Sequence, residues 1–187
     1  MRDETVARNY ALTLLEVADG AEGIEVFGRG LEVVDRMLGE NPSFRAFLET
    51  PRIDLAEKKA LVRSVFAASL PRKLVNFLLV TLDRRRQRLL RQIAAEYQKL
   101  LDARLNRERV ELTLARPFGQ EAVDECSERL SALLGREVIP NVRVRPGILG
   151  GIVVRSGNTI YDGSLRRRLE GMRRTLLATH LREGTAS

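Results

Sequence analysis

The sequence contains one cysteine and one histidine among its 187 residues, and it contains no tryptophan. The single thiol of Cys126 cannot form an intramolecular disulfide. Cys126 and His180 together are too few ligands for a Cys/His metal site. We therefore expect no metal, no redox centre and no cofactor in this chain, and we expect Cys126 to be a small buried hydrophobic residue on its helix.

A long hydrophobic run is also absent. The most apolar stretch, 74–82, is nine residues long and is interrupted by Asn76 and Thr81, whereas a helix needs roughly 20 apolar residues to cross a bilayer. The first residues include Asp3 and Glu4, which do not fit the basic start of a signal or transit peptide. We therefore expect the chain to meet a membrane only indirectly, through a partner.

The common motifs of catalytic and nucleotide-binding sites are missing as well. The sequence has no Walker-type or dinucleotide-binding glycine loop, no zinc spacing and no serine in a nucleophile elbow. A strand pattern follows the pair Gly150 and Gly151, without the Lys or Ser/Thr and the helix that a phosphate loop requires. A bulge or a close backbone approach is therefore favoured there. We predict no catalytic residue.

The first half of the sequence has the pattern of a helical bundle. From about residue 5 to residue 106, apolar residues recur at intervals of three and four, and turn residues separate six helical segments. The fifth segment is apolar nearly all round, which is typical of a helix at a bundle centre or against a partner. The sixth is predicted to run for about 20 residues, or about 30 Å.

Near Arg107 the hydrophobic period changes to two, which begins a second domain. The order that follows is a strand, a helix closed by Gly135, a second strand, a hairpin that turns at Ser156-Gly157-Asn158, and a last helix. That order is typical of a small α/β domain. We predict an α+β chain with a helical bundle domain at 1–106 and a small α/β domain at 107–187.

Basic residues exceed acidic residues by 32 to 25, and they concentrate in two runs. The runs are Arg84, Arg85, Arg86, Arg88 and Arg91, and Arg166, Arg167, Arg168, Arg173 and Arg174. Because arginines bind phosphates, a basic RNA-binding α/β module with a helical partner domain is an alternative function. Each run contains an acid and neither contains an aromatic residue for base stacking. Solvated helix faces are therefore favoured, and we expect no nucleic acid partner.

The segment 146–166, PGILGGIVVRSGNTIYDGSLR, resembles the signature of the ATP synthase delta subunit family, which includes the mitochondrial oligomycin-sensitivity-conferring protein. The matching features are Pro146 followed by Gly150-Gly151, the basic Arg155, and Asp162-Gly163-Ser164 entering a Leu/Arg helix. The start at 8–11, RNYA, and Asn76 of the fifth helix are also similar to the family. Two positions depart from it: Arg145 replaces an acid, and Thr13 replaces an alanine.

The resemblance implies a non-catalytic stator subunit of the proton-translocating F-type ATP synthase, at the cytoplasmic face of the bacterial plasma membrane. On this interpretation the helical domain holds amino-terminal segments of the alpha subunits, and the small domain meets the carboxyl ends of the b subunits. A groove between helices one and five would take the alpha segment. The residues predicted to contact it, for which bundle core is the alternative, are Tyr10, Ala11, Leu14, Leu78 and Leu79.

On the b-subunit side, the resemblance implies a set of residues that serve either partner binding or the structural signature of the family. They are Gly150, Gly151, Asp162, Gly163, Ser164, Arg166, Arg167 and Arg168. The last helix places its apolar residues on one side and its arginines on the other. We expect this helix to meet an acidic b-subunit end.

Overall fold

The computed structural model describes residues 2–19 and 23–183. The chain forms two compact units, Met1–Leu105 and Asn106–Ser187. The first unit is helical and the second combines a sheet with two helices. This architecture confirms the α+β fold class that the sequence predicts.

Within residues 2–19 and 23–105, six α-helices build the amino-terminal unit. They are α1 (Arg2–Asp19), α2 (Ile24–Glu40), α3 (Pro42–Glu49), α4 (Leu55–Phe66), α5 (Arg72–Asp83) and α6 (Leu90–Arg104). The amphipathic spacing of each helix turns an apolar stripe inward, where α1 and α2 pack on α6 and α4 packs on α5. Tyr97 of α6 is fully buried in this core, and its hydroxyl donates a hydrogen bond to the Ile24 carbonyl at 2.9 Å.

The predicted length of the sixth helix is wrong. Its α-helical part has 15 residues, or about 22 Å, because the chain first makes a corner after α5. Arg85 adopts a positive φ of 54°, the amide of Arg86 donates to the Thr81 carbonyl at 2.9 Å, and a short 3₁₀ turn at Gln87–Leu89 leads into α6.

In the described part of the carboxyl-terminal unit, 106–183, the main elements are four strands and two α-helices. They are β1 (Arg107–Leu114), α7 (Gln120–Leu134), β2 (Glu137–Val144), β3 (Ile152–Ser156), β4 (Thr159–Asp162) and α8 (Leu165–Glu183). The sheet order is β2-β1-β3-β4, with β1 parallel to β2 and every other pair antiparallel. As predicted, α7 ends at Gly135, whose φ of 65° is left-handed. The β3–β4 hairpin turns at Gly157 and Asn158.

One face of the sheet is covered and the other is polar. The register places Val110, Leu112 and Val154 on the same face, where they are buried and where α7 packs with Cys126 among its contacts. Cys126 is partly buried. The opposite face carries charged pairs, such as Arg143 and Glu111 at 3.4 Å. The core of this unit therefore lies between α7 and the central strands.

Candidate functional site

The first group of predicted contact residues lies where α1 meets α5. The rings of Tyr10 and Phe77 pack edge to face, with centroids 6.1 Å apart and an interplanar angle of 69°. The guanidinium carbon of Arg86 lies 5.8 Å from the centroid of the Tyr10 ring, a cation–π geometry. Together these contacts hold α1 against α5 and leave Tyr10 half-buried.

The other four residues predicted to contact the alpha subunit lie inside the bundle. Ala11, Leu14 and Leu78 are 0%, 1% and 1% exposed, and Leu79 is 8% exposed. All four belong to the core of the helical unit, because they fall on the inward stripes of α1 and α5. The structure gives these four side chains the bundle-core positions that the sequence allowed as the alternative, and their contact with a partner stays a prediction.

The outer side of the same two helices carries apolar side chains that the fold leaves accessible. Val80 is 50% exposed and Val17 is 43% exposed; Asn76 is exposed and Phe77 is half-buried. Residues three, four or seven apart share one side of a helix, so Val17 lies on the side of α1 that carries Tyr10. Asn76 and Val80 lie on the outer side of α5, next to Phe77, which contacts the Tyr10 ring. We call this surface of Tyr10, Val17, Asn76, Phe77 and Val80 the α1/α5 face.

Sequence reasoning did not single out the exposed valines of this face. Of the five residues it predicted to contact the alpha subunit, Tyr10 belongs to the face, and the other four lie on the inward stripes. Val17 follows Tyr10 by seven residues, and Val80 follows Phe77 by three. That spacing was the signal available in the sequence, but periodicity alone does not tell which side of a nearly all-apolar helix faces the core.

In the carboxyl-terminal unit, the signature glycines hold the turn before β3 against the start of α8. The Leu165 amide donates to the Gly150 carbonyl at 2.9 Å, and the Gly163 amide donates to the Ile152 carbonyl at 3.0 Å. Gly151 has a φ of 79°, and a Cβ atom built there would clash with the Gly163 carbonyl. These glycines therefore serve a close backbone approach, the structural alternative weighed for the motif.

Asp162 and Ser164 cap the start of α8. The Ser164 amide donates to Asp162 Oδ1 at 2.9 Å, and Ser164 Oγ accepts from the Arg167 amide at 3.2 Å. Hydrogen bonds from the Ser164 side chain and amide, with a smaller contribution from the charge of Arg167, hold the pKa of Asp162 below its ordinary value. The carboxylate therefore stays ionised and acts as a structural acceptor.

The arginines that begin α8 are exposed. Arg166 pairs with Glu170 one turn later, at 3.0 Å. Arg167 and Arg168 form no ion pair with any residue that the structure describes, and both line a shallow cavity of about 600 Å³ together with Arg174 and the Asp162 carboxylate. This end of the helix is therefore a basic surface whose charge Asp162 offsets only in part.

Arginines of the earlier run are more often engaged within the fold. Arg91 pairs with Asp35 at 2.8 Å, and Arg88 lies 4.0 Å from Glu49. Arg86 stacks on Tyr10, as described above. These contacts tie α6 and the corner before it to the rest of the bundle.

Across residues 2–19 and 23–183, no group of three His, Cys, Asp or Glu side chains is placed to hold a metal ion. Within the same described residues, no helix has both the length and the hydropathy needed to span a membrane.

Comparison with known proteins places the chain in a family. The family profile described as "ATP synthase delta (OSCP) subunit" matches residues 6–176, which include most of α1, all of α5 and the turn that meets α8. The chain belongs to the ATP synthase delta (OSCP) subunit family. It is therefore a component of the F-type ATP synthase, a membrane-associated complex, and its partners are other subunits of that complex.

Relatives of similar length support the membership. The chain is 38% identical over 179 residues to an ATP synthase subunit delta of Gemmatimonas aurantiaca, covering 96% of this chain and 97% of the relative. It is 35% identical over 182 residues to an ATP synthase subunit delta of Moorella thermoacetica, covering 97% and 99%. Both relatives are delta subunits that align along nearly their whole lengths.

A solved structure shares the fold. A chain of the cryo-EM structure of the Toxoplasma gondii mitochondrial ATP synthase hexamer superposes with a TM-score of 0.65 at 21% identity. The match covers 91% of this chain and 97% of that chain. At this identity the likeness concerns the fold.

Proposed function

We propose that this chain is a non-catalytic stator subunit that links the catalytic head of the ATP synthase to the membrane-anchored b subunits and resists the torque of the rotor. The observation that carries the proposal is that each of the two compact units has an apolar helical surface uncovered by the described chain. One is the α1/α5 face, and the other is the exposed side of α8. A subunit that links two partners needs one such surface for each of them.

The amino-terminal unit is assigned to the alpha subunits. The α1/α5 face presents Val80 and Val17 beside two aromatic rings held edge to face. An amphipathic helix binds such a surface through residues spaced three and four apart. Aromatic and aliphatic anchors that are desolvated on binding slow dissociation, which is the property that a joint under sustained load requires.

The carboxyl-terminal unit is assigned to the b subunits. Exposed apolar residues of α8 lie beside arginines that lack ion pairs within the described chain. An acidic amphipathic helix complements both features, through apolar burial and through charge. We further propose that, in a bacterial cell, the assembled subunit lies at the cytoplasmic face of the plasma membrane.

Titration calorimetry of the full chain tests the assignment of the amino-terminal unit. The titrant is a peptide of the amino-terminal residues of the alpha subunit from the same organism, at low and high salt. Apolar burial predicts binding with a negative heat-capacity change and little dependence on salt. Absence of binding contradicts the assignment, and a steeply salt-dependent interaction with RNA would favour the RNA-binding alternative instead.

A further inference from the structure

A polar cavity lies at one end of the helical unit, where the connection from α3 to α4 meets the corner after α5. Its volume is about 400 Å³. The charged residues that line it are Glu49, Arg52, Asp54, Lys58 and Arg85. Three of them are cations and two are carboxylates, so the cavity is basic overall and also carries hydrogen-bond acceptors.

Lys58 is the cationic anchor of this cavity. It is only 5% exposed, a burial that is rare for lysine unless its charge is paired. Its ammonium donates one hydrogen bond, to the Thr50 carbonyl at 2.6 Å, and forms no ion pair with a residue that the structure describes. Because an ammonium has three N–H donors, two of them remain for a ligand.

The other charged groups of the lining leave a positive balance. Arg52 and Arg85 are exposed, and within the described chain neither side chain forms an ion pair or a hydrogen bond. The carboxylates are partly engaged elsewhere, since Asp54 Oδ2 accepts from the Ala56 amide at 3.3 Å and Glu49 Oε2 lies 4.0 Å from Arg88 Nε. The lining therefore attracts an anion.

Gln87 indicates that this anion should also donate a hydrogen bond. Its Oε1 is buried, and no donor of the described chain reaches it; a buried acceptor without a donor is costly. Gln87 lines the cavity, and its terminal torsion is soft, so a rotation of the carboxamide turns Oε1 toward a ligand there. An anion that has only acceptors is repelled by this oxygen and by the Glu49 carboxylate.

We propose that the cavity binds inorganic phosphate. Phosphate keeps an O–H group at neutral pH, so its oxygen atoms accept from Lys58 and Arg52 while the O–H donates to Gln87. Sulfate has the same shape but no O–H, and a phosphate monoester, whose second pKa is about 6, has mostly lost its own. The inference concerns a further ligand of the helical unit and does not depend on the proposed function.

An NMR titration of the full-length chain with inorganic phosphate tests the proposal, at constant ionic strength in chloride and at neutral pH. Sulfate and glycerol phosphate, a monoester, are the comparison ligands. We expect phosphate to bind saturably in the millimolar range and to shift the backbone amides of 49–58 and 85–87. The two comparison anions should bind about tenfold more weakly, because they leave the acceptor of Gln87 without a donor.

Gln87→Leu tests the selection of a protonated anion. The substitution roughly preserves volume and removes the acceptor, so the affinity for phosphate should fall about tenfold and the affinity for sulfate should not fall. Gln92→Leu on α6 is the matched control, because Gln92 is exposed and is not among the residues that line the cavity. This variant should retain the preference for phosphate.

Arg52→Gln tests the role of charge. Lys58→Met also removes a cation, but it deprives the Thr50 carbonyl of its donor and can unfold the unit. Arg52 is exposed and makes no such contact, so Arg52→Gln should weaken the binding of phosphate and sulfate alike, by about fivefold. Arg63→Gln on α4 is the control, at an exposed arginine outside the cavity, and should leave both affinities unchanged.

Four results would overturn the inference. Phosphate that shifts no amides saturably, or only those of α8, has no site in this cavity. Sulfate that binds as tightly as phosphate, or a Gln87→Leu variant that keeps the preference, removes the role of the O–H donor. Tighter binding of glycerol phosphate assigns the cavity to a phosphorylated molecule instead of inorganic phosphate. Equal losses in Arg52→Gln and Arg63→Gln reveal a general effect of charge and no site.

Discussion

The backbone carbonyl of Gly163 occupies the position that a side chain on Gly151 would need. This approach joins the turn before β3 to the start of α8, and the hydrogen bond from the Gly163 amide to the Ile152 carbonyl closes it. In this chain, the glycines of the family signature therefore fix the position at which the last helix, α8, begins.

Replacement of Gly151 by alanine should strongly destabilise the carboxyl-terminal unit. The substitution combines a positive φ with a clash against backbone, which cannot move aside as a flexible side chain can. We expect a loss of about 3 kcal/mol in the free energy of unfolding, measured by urea denaturation. Gly157→Ala is the matched control, because Gly157 also has a positive φ but open space around it. It should cost about 1 kcal/mol, and equal losses for both variants would contradict a role for the Gly163 contact.

The stability of the same unit should depend on pH through Asp162. Its pKa in the folded protein is below the ordinary value of 3.8, chiefly because Ser164 donates to the carboxylate. A carboxyl group with a lowered folded pKa stabilises the fold above its unfolded pKa, and that contribution is lost as the pH falls through the folded pKa. Asp162→Asn keeps an acceptor but does not titrate. The stability difference between wild type and Asp162→Asn should therefore shrink on acidification below pH 3.8.

Thermal denaturation across the acidic range measures this difference. Asp124→Asn on α7 serves as the control for loss of one exposed carboxylate in the same unit. A difference between wild type and Asp162→Asn that does not change with pH would show that the carboxylate charge contributes nothing at this cap.

Removal of the Tyr97 hydroxyl should destabilise the helical unit. The ring is fully buried and its hydroxyl donates to the Ile24 carbonyl, which joins α6 to the first residue of α2. Tyr97→Phe keeps the packing and deprives that carbonyl of this donor, so we expect a loss of about 1 kcal/mol. Chemical denaturation followed by circular dichroism measures it. Tyr161→Phe, at a tyrosine that is 54% exposed, should change the unfolding free energy little.

A charge on the α1/α5 face should weaken binding of the alpha-subunit peptide without unfolding the bundle. Val80→Asp places a carboxylate on the exposed side of α5 beside Phe77, and we expect affinity to fall at least roughly tenfold. Val33→Asp on α2, at a valine that is 40% exposed, is the control and should bind normally. Leu78→Asp behaves differently, because its side chain is 1% exposed and a buried carboxylate should unfold the unit.

Calorimetry gives the affinities, and the helical content of each variant is checked in parallel. Normal binding by Val80→Asp would place the alpha contact away from this face. A folded Leu78→Asp variant that lost only binding would restore the earlier assignment of the contact to Leu78.

The spacing of apolar residues and the positions of turn residues predicted most of the fold, because interactions between residues close in sequence determine where helices and turns form. Helical periodicity placed the six helices of the first unit, and turn chemistry placed the hairpin at Gly157 and the end of α7 at Gly135. The corner after α5 was not predictable in the same way. Arg85 adopts a left-handed backbone conformation at a position where the sequence has no glycine to indicate it. The contacts around the corner stabilise a conformation that arginine itself disfavours.

The candidate surfaces were harder to predict for the same reason. Whether Leu78 or Val80 faces outward depends on how six helices pack, and a nearly all-apolar α5 does not encode that choice in its periodicity. The strained backbone at Leu149, whose φ is 63°, likewise follows from a turn pressed against α8 rather than from its own sequence. Hydrophobic periodicity identifies the helices that could carry a binding surface. The packing of the helices against one another decides which of their side chains are exposed on it.

The short connection between the two units has a mechanical consequence. Only Leu105 and Asn106 separate α6 from β1, and β1 is hydrogen-bonded to a strand on each side. A pull directed along β1 therefore loads two hydrogen-bond ladders in shear, instead of peeling an edge strand away one bond at a time. At its other end the same pull acts on a helix embedded between α1 and α2. Tension thus enters each unit at a deeply embedded element, where many weak contacts must fail together.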